Sequence, residues 1–313
     1  MYTKSVIRDA FGQGLVEAGK LHPEMYVLTA ELKNPTRCGM FAEVFPDRFL
    51  DVGIAEQNLI GIGAGLASCG KMPFLVSYAN FACLRAGEQI RNDISYTNFN
   101  AKVIAMSTGF TFGTGGPTHQ AYEDLGVMRA MPNFVVLAPA DAAAMKKAVL
   151  AMADHEGPVF ARSGRGAEYD VYSDDDCPFV IGKANTLRPG NDVAIVACGF
   201  MVHEAIVASD LLKEEGIQAR VIDMHTIKPI DREALADAAE HCRLIVTVEE
   251  HYKIGGLGTA VADTLAEIKH PPICKIGIDD AYPPIGPNFE LRSHLGLDAA
   301  NIVRTVRAKL GVN

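Results

Sequence analysis

The chain has 313 residues, 49% hydrophobic and 21% charged, with a formal net charge of −9. That length can bury a sizeable core and suggests about two domains. An acidic balance with dispersed Lys and Arg argues against nucleic acid as the main ligand, no apolar run approaches the roughly 18 residues of a membrane span, and MYTKSVIRDA lacks the apolar stretch of a secretory signal.

In chain order, MYVLTA (25–30) is the first strand-like run. Next comes DVGIAEQNLIGIGAGLASCG (51–70), helix-like, with the carboxylate of Glu56 opening an apolar or small run, and five glycines in all. Each glycine costs a helix interior roughly 1 kcal/mol against alanine. A carboxylate beside an apolar wall must be paired or titrate abnormally. GIGAG (61–65) sits inside this run and not at a strand-to-helix turn, so it fails as a dinucleotide fingerprint. Small residues at 61, 65 and 68 instead predict a flat helix face that another backbone can approach.

The strand PFLVSY (73–78) leads into ANFACLRAGEQIRND, which places Tyr78 and Phe81 at a strand end. Aromatics at this spacing can be core or a ligand platform, but Arg85, Glu88, Gln89, Arg91 and Asp93 are too polar for a buried helix. After the strand AKVIAMS (101–107) comes the loop GFTFGTGGPTHQAYEDLG (109–126), permissive at Gly113, Gly115 and Gly116, with His119 near its end. A helix start capped by Thr118 would explain part of it, but not its three glycines. FVVLAPA (134–140), a helix over DAAAMKKAVLAMADH (141–155) and PVFARS (158–163) complete a first alternating series. ARSGRG (161–166) ends a strand on Arg162 and Arg165, a pair suited to phosphate, carboxylate or an interdomain salt bridge.

The stretch 164–191 is acidic and punctuated by Gly and Pro, which marks a linker. A second series follows: DVAIVACG, a helix over HEAIVASDLLKEEG, ARVIDMHTIKP as one strand, a helix over DREALADAAEHC, RLIVTVEE, and a helix after GGLGTAVAD. IGGLGTA (254–260) follows a strand but has no acidic residue about 20 residues on, so it is a poor dinucleotide site. The alternation predicts an α/β fold of two doubly wound domains with mainly parallel sheets, residues 1–175 and 191–313 joined by a linker over 176–190. Ligands of such sheets bind at the carboxyl ends of the strands. The seven cysteines form no C-x-x-C pair or metal-ligand spacing, so they read as reduced, mostly buried thiols of a cytoplasmic protein.

Five of these stretches, in this order, resemble the C-terminal half of the thiamine-diphosphate-dependent transketolase family: GIAEQN, SYANF, GGPTHQAYEDL, MHTIKPID and EEHYKIGGLGTAVAD. The resemblance covers nearly the whole chain. It implies a pyrimidine-binding domain followed by a transketolase C-terminal domain. It implies that Glu56 shares a proton with the cofactor's aminopyrimidine nitrogen, that Tyr78 and Phe81 bed the ring, and that His119 donates a hydrogen bond to substrate. Glu31 falls where the family has an acidic residue near the cofactor, and Arg162 or Arg165 near its phosphate-binding arginine.

The family's G-D-G motif, which holds Mg²⁺ and the diphosphate, is absent. The resemblance therefore implies the small subunit of a split transketolase, with no metal ligands of its own. A separate large subunit would hold Mg²⁺ and the diphosphate, in an α2β2 assembly acting on sugars or sugar phosphates. Two departures blur the sugar: Gly115 replaces an aspartate that senses a sugar hydroxyl, and Ser107 replaces a histidine. The alternatives are the beta subunit of a 2-oxoacid dehydrogenase, a deoxyxylulose-phosphate synthase-like enzyme, or a non-catalytic regulatory subunit. G-P-T-H-Q and TIKP-ID favour ketol transfer, and retention of Glu56 with Tyr78, Phe81 and His119 speaks against a non-catalytic role.

Overall fold

The computed structural model describes residues 3–173 and 176–312. Fourteen strands are defined among them: β1 (Lys4–Val6), β2 (Met25–Thr29), β3 (Phe49–Asp51), β4 (Met72–Tyr78), β5 (Lys102–Met106), β6 (Val135–Leu137), β7 (Val159–Ser163), β8 (Ala167–Tyr169), β9 (Asn185–Arg188), β10 (Val193–Ala197), β11 (Ala219–Asp223), β12 (Thr226–Lys228), β13 (Ile245–Tyr252) and β14 (Ile273–Ile278). They form a seven-stranded sheet in the order β12-β6-β7-β5-β4-β2-β3, a five-stranded sheet in the order β14-β13-β10-β11-β9, and the small antiparallel pair β1-β8. Apart from edge strands β12 and β9, the pairings within the two large sheets are parallel.

The central strands are apolar throughout because both faces are covered. Along β4, Phe74, Val76 and Tyr78 face one core and Leu75 the other. The first core also receives Phe11 and Leu15 of the helix Ile7–Leu21 and Met145 and Val149 of the helix Ala142–Asp154. The second receives Leu59 and Ile60 of the helix Glu56–Ser68. Helices on both faces make the domain doubly wound. Aspartates cap two crossover helices: Asp141 accepts from Ala144 N–H at 2.8 Å, and Asp231 accepts from Glu233 and Ala234 N–H, each at 3.1 Å.

Two segments depart from the sequence expectation. ARVIDMHTIKP is not one strand: β11 stops at Asp223, and β12 crosses to the first sheet, where it pairs antiparallel with β6. The second half of the chain thus closes an edge of the first sheet. The expected linker 176–190 contains β9, which flanks β11 in the second sheet. Gly182 before it and Pro189 and Gly190 after it make this short, half-buried edge strand read as loop. Residue 175, the expected end of the first domain, lies outside the described residues.

Candidate active site

The residues singled out in the first half gather where β4 and β5 end. Tyr78 is the last residue of β4, and Phe81 opens the π-helical turn Phe81–Arg85 that follows. Such wide turns recur at functional sites. The loop after β5 returns to this place. The His119 ring stands 5.4 Å from Phe81, 5.2 Å from Phe112 and 6.1 Å from Tyr78 between centroids, all edge-on. Tyr78 lies 6.1 Å from Phe81 and 5.9 Å from Phe112, so four rings form one cluster. Tyr78 also belongs to the apolar core. No helix starts at Thr118, whose hydroxyl lies 2.9 Å from His119 Nδ1 and helps to fix the ring.

Arginines bracket the cluster. Arg165 lays its guanidinium 3.7 Å over Phe112, and Arg85 lies 4.4 Å over Phe81. Arg85 in turn donates from Nη1 to Glu56 Oε2 at 2.8 Å. Glu56 is 3% exposed and is the first residue of its helix, so the helix N-terminus adds a favourable field for its negative charge. One unbroken set of contacts therefore runs Glu56–Arg85–Phe81–His119–Phe112–Arg165.

The two arginines of ARSGRG part company. Arg162 is 4% exposed, pairs with Asp124 through Nε at 2.9 Å, and donates to the Glu250 carbonyl at 3.1 Å. It is the interdomain tie, whereas Arg165 reaches the aromatic cluster with one buried nitrogen, Nη1, left without a hydrogen-bond partner. Glu31 stands apart. It follows β2 with a left-handed φ of 57°, its N–H bonded to Asp51 Oδ1 at 2.8 Å, and the described contacts do not join it to the rings. Ser107, after β5, is also left-handed, at φ 61°. Such backbone is strained for a residue with a side chain and concentrates at functional sites.

The glycines divide in the same way. A Cβ at Gly115 would stand 2.9 Å from His119 Cβ and 3.3 Å from the Phe112 ring. A larger residue there would push His119 aside, which gives the departure at 115 a steric cause. Gly63 faces inward against Leu75, while Gly61 and Gly65 meet nothing within 4 Å of an added Cβ, so the flat face expected from residues 61, 65 and 68 is present but uncovered in this chain.

The second domain holds the loop in place. Phe110 N–H donates to Glu250 Oε1 at 2.9 Å, Gln120 Nε2 to the Pro284 carbonyl at 3.3 Å, and Gly126 N–H to His251 Nε2 at 3.2 Å. Glu250 is fully enclosed, and its burial pushes its carboxyl up to about 8 despite Arg162. Burial raises Glu249 and Asp223 to about 7 each, against two N–H donors at Glu249 and the Tyr172 hydroxyl at Asp223. Among the described residues no group of three His, Cys, Asp or Glu stands together to hold a metal ion. None of their helices is long and apolar enough to cross a membrane. None of the seven cysteines is in a disulfide; five are buried, but Cys69 is exposed and Cys274 intermediate.

Sequence reasoning alone does not single out Arg85, Phe112 and Glu250 as site residues. Phe112 lies in a loop whose glycines carry the signal, Arg85 in a stretch that reads only as polar, and Glu250 joins the site through tertiary contact alone.

Residues 4–168 match the family model of the transketolase pyrimidine-binding domain, and residues 182–302 that of the transketolase C-terminal domain. The chain belongs to the transketolase family. It is 41% identical over 298 residues to an apulose-4-phosphate transketolase subunit of Phocaeicola vulgatus, covering 95% of each chain. It is 37% identical to the 6-deoxy-6-sulfo-D-fructose transketolase subunit SqwH of a Clostridium species, covering 95% of this chain and 92% of that one. A solved split-gene transketolase, described as an inactive β4 tetramer, superposes with a TM-score of 0.90 at 43% identity, covering 99% of each chain. The chain is thus a split-transketolase subunit of transferase type, and its family depends on thiamine diphosphate.

Proposed function

We propose that this chain is the small subunit of a cytoplasmic split transketolase that moves a two-carbon ketol unit from a ketose or ketose phosphate to an aldose. The observation that carries this reading is the contact chain from Glu56 to His119 at the carboxyl ends of β4 and β5. The donor set fits one end of thiamine diphosphate. A buried carboxylate with one oxygen still unbonded suits a ring nitrogen, and adjacent aromatic rings suit a flat pyrimidine. Bound there, the cofactor supplies the nucleophilic carbon and electron sink needed to break the bond beside a ketone.

Glu56 would hold the proton shared with the ring nitrogen, a task for a charge-assisted bond in a dry pocket. Tyr78, Phe81 and Phe112 would exclude water and bed the pyrimidine, and Glu31 would lie farther out on the same sheet edge. His119, tilted against three rings and steered by Thr118, would donate to a sugar hydroxyl or developing oxyanion. Arg165 is the better of the two arginines for an anionic substrate group, because Arg162 is consumed by Asp124 and the Glu250 carbonyl. The large subunit would supply Mg²⁺ and diphosphate binding in an α2β2 assembly and would cover the bare face of Gly61 and Gly65. Cysteines that form no disulfide are in keeping with a reducing cytoplasm.

The test mixes this chain with its large subunit, thiamine diphosphate and Mg²⁺, and offers ketose donors with aldose acceptors. Ketol transfer by the mixture, with neither subunit active alone, is the expected result. Decarboxylation of a 2-oxoacid without ketol transfer would overturn the reading.

A further inference from the structure

Arg85 has no role in the reading above beyond its place in the contact chain, yet its surroundings are unusual for a surface arginine. Its side chain is 49% exposed, while its partner Glu56 is 3% exposed. A carboxylate so enclosed needs a partner, and among the described residues Arg85 is its only side-chain partner, through Oε2. Oε1 accepts no hydrogen bond from the described residues. The guanidinium is itself anchored, 4.4 Å over the Phe81 ring, and Phe81 touches His119. Arg85 therefore reaches Glu56 from a fixed platform that is also part of the aromatic bed. A planar guanidinium stacked on a ring is pre-organised in a way that a lysine cannot copy.

We propose that Arg85 is a positioning residue for Glu56. By binding Oε2 it fixes the rotation of the carboxylate and reserves Oε1 for the cofactor's ring nitrogen. This rests on the reading of Glu56 given above. Without Arg85 the carboxylate would still be present but free to turn, and its bond to the ring nitrogen would be made only part of the time. Misplacement of a reacting group by a fraction of its bond length weakens the catalysed step more than it weakens substrate binding.

The experiment uses the assembled enzyme and compares wild type, R85M, R85K, E56Q and the double variant R85M/E56Q. Calorimetric titration measures thiamine diphosphate affinity with Mg²⁺ present, and steady-state kinetics gives kcat and KM. For R85M, kcat should fall about ten- to a hundredfold, the worth of a charge-assisted hydrogen bond. The cofactor Kd should rise about tenfold, with KM for the sugar within about threefold. R85K should recover part of both losses. In the E56Q background, R85M should add less than about twofold, because its effect passes through Glu56. R85M with kcat and cofactor Kd within twofold of wild type, or losses that multiply with those of E56Q, would overturn the proposal. Should R85M fail to assemble, R85L takes its place, and wild-type kcat in R85L would overturn it equally. Full turnover and full cofactor affinity in E56Q would instead sink the reading of Glu56 itself.

Discussion

The sharpest consequence of the interdomain packing concerns Glu250. Its carboxyl is enclosed, accepts the Phe110 N–H at 2.9 Å, and is raised from 4.5 to about 8 by burial first, with Arg162 and Arg292 pulling the other way. At neutral pH the folded chain therefore keeps a proton there that the unfolded chain has lost. A group with a raised folded-state pKa stabilises the fold most below its unfolded value, and that stability is lost as pH rises toward the folded value. For Glu250 the window runs from 4.5 to about 8. Across 3.5 pH units at 1.36 kcal/mol each, the ceiling of the loss is about 5 kcal/mol.

Glu250→Gln mimics the protonated form already present, keeps an acceptor for Phe110 N–H and removes the titration. At pH 5 the variant should unfold within about 1 °C of wild type; at pH 8.5 it should be more stable by about 2–4 kcal/mol, a rise of roughly 3–6 °C in apparent Tm for a chain of this size. Differential scanning calorimetry of both chains from pH 5 to 9 measures this. A Tm difference that does not change with pH, or a variant weaker than wild type at pH 8.5, would refute the reasoning. Glu249 and Asp223, each raised to about 7, add the same sign, so wild-type stability itself should decline from pH 5 to 8.

The remaining predictions separate roles that the sequence leaves together. Arg162→Ala strands the buried Asp124 and should cost about 3–5 kcal/mol in denaturant unfolding, as broken buried ion pairs do. Arg165→Ala should leave unfolding within about 1 kcal/mol of wild type. In the assembled enzyme it should raise KM for a phosphorylated substrate about tenfold or more, and kinetics with and without the phosphate distinguishes the two. Gly115→Ala should lower kcat of the assembled enzyme about tenfold or more by pressing on His119 and Phe112, with the circular dichroism spectrum of the fold retained. Gly63→Ala must displace the Leu75 side chain, which the added carbon would overlap, and should cost about 1–3 kcal/mol of stability, read from urea midpoints.

The legible parts of this fold are those in which a pattern is local. Strands β4, β5 and β7 are buried on both faces, so they stand out as continuous apolar runs. The helix Ala142–Asp154 announces its cap at Asp141. Strand β12 is hidden because three residues, Thr226–Lys228, carry no period of their own, and their place in the first sheet is decided by a partner strand far away in sequence, Val135–Leu137. The same reason hides β9. Among the candidate site residues, Glu56, Tyr78, Phe81 and His119 announce themselves by family motif and by chemistry set in unusual surroundings. The split between Arg162 and Arg165 cannot be read from sequence, since the two differ only in what lies opposite: Asp124 and Glu250 for one, Phe112 for the other.

That pattern bears on how the two domains cooperate. Every residue that decides a role hidden from the sequence is a contact partner supplied from elsewhere in the chain. Glu250 of β13 receives the start of the His119 loop at Phe110, Gln120 ties its end to the Pro284 carbonyl, and the Gly286 carbonyl fills the space a Cβ would need at Gly113. The loop is therefore held at both ends and in its middle by the second domain, while His119 is packed against the rings of the first. A glycine-rich loop, costly to order by itself, becomes a rigid support only through these anchors. The C-terminal domain thus acts as the clamp that orders one wall of the site, and loosening Glu250 should be felt at His119 before it is felt at the sheet.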